Sequence, residues 1–136
     1  MEIEYAFLII EDNQIDQYIA SQLFKKKLDV TDINIADNGK QGIQWICENR
    51  LKINKPLIII LDIQMPIMNG AQFLLEYEKL DSELKSNTQI FMLSSSLDAN
   101  EIKLLKENIH VTDFLSKPIS VRELGDKINA NSLQKL

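Results

Sequence analysis

The chain has 136 residues, near-average shares of apolar and charged side chains, and a net charge of -5, which fits one soluble globular domain over residues 1–136. That charge argues against nucleic-acid binding, which needs a concentrated basic face; no apolar stretch reaches membrane-spanning length, and the acidic start Met1-Glu2-Ile3-Glu4 lacks signal-peptide blocks, so a cytoplasmic location is expected. One cysteine, Cys47, excludes an internal disulfide, and one histidine, His110, excludes a histidine-based zinc site.

Along the chain the apolar pattern alternates in type. Tyr5-Ala6-Phe7-Leu8-Ile9-Ile10 is a continuous run of the kind found in strands covered on both faces. Ile15, Ile19 and Leu23 then recur at helical spacing behind Asn13, a good N-cap. Lys25-Lys26-Lys27 falls where that helix should end, and cations there complement the helix dipole. Asp32 to Ala36 reads as an edge-like strand closed by a turn at Asp37-Asn38-Gly39. Ile43, Ile46 and Cys47 mark the stripe of a second helix, with Cys47 expected inside and Trp45 off the stripe. Leu57-Ile58-Ile59-Ile60-Leu61 is the most β-like segment and ends on Asp62. Beyond Asn69-Gly70, the residues Phe73, Leu74 and Tyr77 predict a third helix, and Asp81 to Asn87 reads as a polar loop. Ile90-Phe91-Met92-Leu93 is a fourth strand, followed at once by Ser94-Ser95-Ser96. Asp98 and Glu101 have capping-box spacing before a fourth helix containing Ile102 and Leu105. Phe114-Leu115 is a minimal fifth strand, and Ser120 and Glu123 open a fifth helix through Leu124 and Ile128.

Five strands alternating with five helices predict an α/β fold with a doubly wound, five-stranded parallel sheet. Right-handed crossovers place all carboxyl ends on one edge, where such sheets build their sites. Glu11, Asp12, Asp62, Ser94 and Lys117 converge there. Three close carboxylates repel one another, and a divalent cation relieves this; an all-oxygen site with few protein ligands suits magnesium. Glu11 and Asp12 would hold the ion, Asp62 would add an oxygen, and the backbone carbonyl of Gln64 could add another. Asp62 can attack phosphorus to give an acyl phosphate. The charge spread over the equatorial oxygens in such a transfer would meet the ion, Lys117 and the Ser94 hydroxyl.

With these residues in place the chain resembles the receiver domains of two-component response regulators, from Phe7 to the last helix. The most specific stretch is Leu61-Asp62-Ile63-Gln64-Met65-Pro66-Ile67-Met68-Asn69-Gly70; Leu8-Ile9-Ile10-Glu11-Asp12-Asn13, Met92-Leu93-Ser94-Ser95 and Phe114-Leu115-Ser116-Lys117-Pro118 resemble the other three motifs, and Asn38-Gly39 the turn before the second helix. The resemblance implies a flavodoxin-like receiver fold, Mg²⁺ dependence, and phosphorylation of Asp62 by a sensor histidine kinase or a histidine phosphotransfer protein. It also implies that Ser94 moves toward the phosphoryl group while the aromatic switch position, Phe114, changes rotamer. The face of the fourth helix, fifth strand and fifth helix would then present itself to a downstream protein. Lys117-Pro118 is expected to be cis. With no output domain expected, the reading is a stand-alone phosphorelay switch without a metabolic substrate.

Departures from the family pattern are Glu11 in place of an aspartate, Ser94 in place of threonine, and Phe114, which cannot donate a hydrogen bond as tyrosine can. Asn108-Ile109-His110-Val111 stands where a glycine-containing turn is usual, leaving the shape of the output face open. Gln64 and Ser96, two residues beyond Asp62 and Ser94, are not strong bases, so slow acyl-phosphate hydrolysis is expected. A haloacid-dehalogenase-type phosphatase would need an acid at 64. A flavin binder would need a phosphate cradle where Glu11-Asp12 repels phosphate. An unphosphorylated adaptor would not need the complete set.

Overall fold

Where the sequence shows unbroken apolar runs, the strands are buried from end to end. The computed structural model of the chain describes residues 4–94 and 99–134. Its strands are β1 (Ala6–Ile10), β2 (Ile33–Ala36), β3 (Leu57–Asp62), β4 (Thr88–Ser94) and β5 (Val111–Ser116). They form one parallel sheet in the order β2-β1-β3-β4-β5. The helices are α1 (Gln14–Lys27), α2 (Gly39–Asn49), α3 (Gly70–Glu78), α4 (Ser82–Lys85), α5 (Ala99–Lys106) and α6 (Val121–Gln134), with a 3₁₀ turn at Arg50–Lys52.

Side chains alternate across each strand, and this divides the core in two. Phe7, Ile9, Ile58, Ile60, Phe91, Leu93 and Leu115 pack against Ala20 and Phe24 of α1 and Leu124 and Ile128 of α6. Leu8, Ile10, Ile59, Leu61, Ile90 and Met92 pack against Ile46, Phe73, Tyr77 and Leu105 of α2, α3 and α5. Burial on both faces is what a doubly wound sheet requires, and it explains strands without polar alternation.

Two helices turn a different side inward from the one their apolar spacing suggests. In α1, Ile15 is 70% exposed and Ile19 49%, while Gln17, Ala20, Ser21 and Phe24 are buried. Phe24 anchors this face on Phe7, with ring centroids 4.8 Å apart, and the small Ala20 and Ser21 let the helix lie close to the sheet. In α2, Cys47 is exposed rather than buried, and Trp45 packs against the core. The cause is the inner row Gly39, Gly42 and Ile46: a Cβ on Gly42 would come within 2.5 Å of Ile10 Cδ1. Gly42 brings α2 close to β1, Gly39 seats its first turn against Met68, and Cys47 turns outward.

The polar segment from Asp81 to Asn87 contains the short helix α4, making six α-helices among the described residues instead of five. Buried Arg50 fastens it by donating to Ile53 O at 3.1 Å and Ser86 O at 3.0 Å. Before β5, Asn108 does the work of the missing glycine. Its side chain accepts the His110 N–H at 2.9 Å and its carbonyl accepts the Val111 N–H at 3.2 Å, without a left-handed residue. The register then shifts opposite Ile90 and Phe91, and the Thr112 hydroxyl accepts the Ile90 N–H at 3.1 Å. β5 is therefore longer than Phe114-Leu115. Asn13 caps α1 as expected, and Ser120 Oγ accepts the Glu123 N–H at 3.2 Å. Asp98, of the other expected capping box, lies outside the described residues.

These faces predict opposite costs. Phe24→Ala should destabilise by about 3–5 kcal/mol, whereas Ile15→Ala should stay within about 0.5 kcal/mol. Denaturant unfolding of both variants measures the contrast.

Candidate functional site

At the carboxyl edge, backbone pairing carries on past the strands and sets the polar residues in place. Glu11 N–H donates to Ala36 O at 3.1 Å, Ile63 N–H to Leu93 O at 3.0 Å, and Lys117 N–H to Ser94 O at 3.0 Å. Asp62 ends β3 and Ser94 ends β4. The bond from Lys117 thus ties the loop after β5 directly to Ser94. The Lys117-Pro118 peptide is cis. Gly70 completes the frame: a Cβ there would meet Ile63 Cα and Met92 Cε at 3.0 Å and Asp62 O at 3.3 Å. Its absence lets the capped start of α3 seat against the end of β3.

Lys117 is the centre of the side-chain geometry. Its Nζ lies 2.8 Å from Glu11 Oε1, 3.4 Å from Asp62 Oδ2 and 3.6 Å from Asp16 Oδ2. Glu11 and Asp62 are buried and Asp12 is exposed. The other Asp62 oxygen, Oδ1, accepts the Gln64 N–H at 3.3 Å, with the Gln64 side chain outside. Ser94 is buried at the same edge. Phe114 sits away from it, partly buried on the α5 side of the sheet. Ser96 lies outside the described residues.

The electrostatics show the strain of this crowding. Burial pushes the Glu11 carboxyl up to about 8, helped by the Asp62 and Asp12 carboxyls and opposed by Lys117. For Lys117, burial works downward, but Glu11 and Asp62 outweigh it and hold the ammonium above the usual lysine value. Glu11, Asp12 and Asp62 each offer an oxygen, all within 4.8 Å of one another. Glu11 Oε2 is buried and finds no hydrogen-bond partner among the described residues. An orphaned carboxylate oxygen beside two other carboxylates fits a hard divalent cation such as Mg²⁺.

Sequence reading identified Glu11, Asp12, Asp62, Ser94 and Lys117 and missed their support. Buried Gln17 donates from Nε2 to Glu11 O at 2.5 Å and to Asp37 Oδ1 at 2.8 Å. It thereby fixes the peptide that carries the acid pair and joins it to the loop after β2. Asp16 stands beside it in the first turn of α1. The available signal was an acid and an amide directly behind the Asn13 cap of a helix that opens onto the site, but an acid there also reads simply as complementing the helix dipole.

Residues 7–129 match the response regulator receiver domain family. The chain is 29% identical over 130 residues to a protein-glutamate methylesterase/protein-glutamine glutaminase of Desulfotalea psychrophila, covering 95% of this chain and 34% of that protein. It is 28% identical over 123 residues to hybrid signal transduction histidine kinase I of Dictyostelium discoideum, covering 90% of this chain and 7% of that protein. The chain thus spans about a third or less of these relatives. A response regulator receiver protein from Dyadobacter fermentans superposes with a TM-score of 0.84 at 25% identity, covering 93% of this chain and 96% of that one. The chain belongs to the response regulator receiver domain family.

The raised Glu11 carboxyl sets the sign of a pH effect in the metal-free protein. The folded state keeps a proton that the unfolded chain releases near its ordinary value of 4.5. Stability from this group is therefore full below about pH 4.5 and is lost as the pH rises through about 8. Glu11→Gln should flatten that slope and raise metal-free stability at pH 8 by about 1–2 kcal/mol, several degrees in Tm. Melting curves in EDTA across this range test it.

Proposed function

We propose that this receiver domain is a phosphoacceptor switch in two-component signalling, with Asp62 as the accepting residue. The observation that carries the reading is Lys117 bridging buried Glu11 and Asp62 at the strand edge of a family-matched fold. An Asp62 oxygen attacks the phosphorus of a phosphohistidine on a histidine kinase or a histidine phosphotransfer protein. The P–N bond breaks, the imidazole nitrogen keeps the electron pair and takes a proton from solvent, and Asp62 becomes an acyl phosphate. Glu11, Asp12, Asp62 and the Gln64 carbonyl would hold a Mg²⁺, which would supply positive charge to a phosphoryl oxygen. Lys117 pairs with a second oxygen and the Ser94 hydroxyl donates to a third. The exposed apolar residues Ile15, Ile67 and Pro118, which lie in the segments that follow β1, β3 and β5, suit contact with a protein donor.

Transmission follows from strand parity. Ser94 pairs with Ser116 and Met92 with Phe114, so Ser94 and Phe114 lie on the same face of the sheet, one diagonal apart. When Ser94 turns toward the phosphoryl group, the space it leaves is on the side where Phe114 packs. Phe114 has no hydroxyl to anchor, so packing alone governs its rotamer. The readout is the surface of α5, β5 and α6, which meets a downstream protein in the cytoplasm. Gln64 supplies no base, and the acyl phosphate hydrolyses slowly; the domain has no separate metabolic substrate.

Intact-mass spectrometry after incubation with acetyl phosphate and Mg²⁺ should show one added phosphoryl group on the wild type, none on Asp62→Asn, and none when EDTA replaces Mg²⁺. The label should persist for minutes or longer. An unlabelled wild type would overturn the reading, and a half-life of seconds would overturn the slow hydrolysis.

A further inference from the structure

Among the described residues, Asp16 is the one carboxylate on Lys117 that neither the acceptor role nor the metal-competent trio uses. Its Oδ2 lies 3.6 Å from Lys117 Nζ and its side chain is 45% exposed, whereas the three acids that can share an ion are Glu11, Asp12 and Asp62. It occupies the first turn of α1, where its N–H is already satisfied by the Asn13 cap at 3.1 Å. The carboxyl group is thus free of the capping work, and it reaches the lysine from the solvent side. Glu11 and Asp62 hold the same ammonium from the buried side.

We propose that Asp16 is a positioning residue that restrains Lys117 at the mouth of the site and thereby sets the rate of phosphoryl acceptance from small anionic donors. The inference rests on Asp62 being the phosphoacceptor. An incoming phosphoryl group must draw Lys117 into contact with its own oxygens, and every carboxylate that holds the ammonium competes with it. Glu11 and Asp62 belong to the site and cannot be dispensed with. Asp16 is an added competitor, half in water, on the side from which a donor arrives. Its effect is greatest for a small free donor, which brings no docking contacts to offset the restraint.

In the test reaction an Asp62 oxygen attacks the phosphorus of acetyl phosphate, the bridging P–O bond breaks, and acetate leaves with the electron pair. Label uptake is timed by intact mass for wild type, Asp16→Asn and Asp16→Glu with Mg²⁺, at low and high KCl. Asp16→Asn should be faster by about two- to fivefold at both salt concentrations, and Asp16→Glu should return close to the wild-type rate. A gain that disappears at high salt would mean that Asp16 only repels the donor at long range, where ions screen it, and would overturn the restraint. An unchanged rate with a lower Tm would reduce Asp16 to a complement of the α1 dipole and would also overturn it. In both cases a labelled wild type leaves the acceptor role intact, whereas an unlabelled wild type removes both.

Discussion

The ammonium of Lys117 stands among the carboxylates of Glu11, Asp62 and Asp16, and the site exists only because the fold brings it there. In the strand order, β4 and β3 separate β5 from β1. With strands about 4.8 Å apart, the ends of β5 and β1 are on the order of 14 Å from each other. A lysine inside β5 could not span that gap. Lys117 lies one residue beyond the strand, where its N–H is pinned to Ser94 O, and its side chain extends over the end of β4 toward β3. Glu11, likewise one residue beyond β1, meets it. Asp62 needs no such reach, because β3 is the central strand. Asp62 is therefore carried by the central strand, and Glu11 and Lys117 come in from either side.

The same contact leaves a charge conflict unresolved. Burial, with the Asp62 and Asp12 carboxyls beside it, holds the Glu11 carboxyl up at about 8 against the pull of Lys117, and Glu11 Oε2 has no partner among the described residues. A structure selected for stability alone would place a neutral side chain there. Local conflicts of this kind are expected where function overrides stability. Here they have a direction: the cluster gains by taking up positive charge, which is the property a divalent-cation site needs.

Most of the fold was legible because both of its periodicities are strong. Apolar runs such as Leu57 to Leu61 admit little but a strand buried on both faces, and the acids directly after them fall on the site edge once the topology is known. What escaped the sequence was rotation and support. The period of 3.6 places Ile15, Ile19 and Leu23 on one side of α1, but it cannot show that Phe24 has the better socket beside Phe7. In α2 the spacing favoured Cys47, whereas Gly39 and Gly42 decided the orientation by permitting close approach. Gln17 escaped for a related reason, since a polar residue on a helix is assigned to solvent unless a buried carbonyl is known to await it.

These misses share a physical origin that bears on the site. The inner side of α1 runs from Phe24, deep against the sheet, through Ala20 and Ser21 to Gln17 at the edge. Apolar packing at Gln17 would leave Glu11 O, which lies past the last ladder bond of β1, buried and unpaired, at a cost of about 1–3 kcal/mol. The amide at that position satisfies the carbonyl and binds Asp37 as well. With the inner side committed to small and polar residues near the edge, the bulky apolar residues of α1 are displaced to the outside. Ile15 and Ile19 are exposed, then, as a consequence of how the acid pair is held.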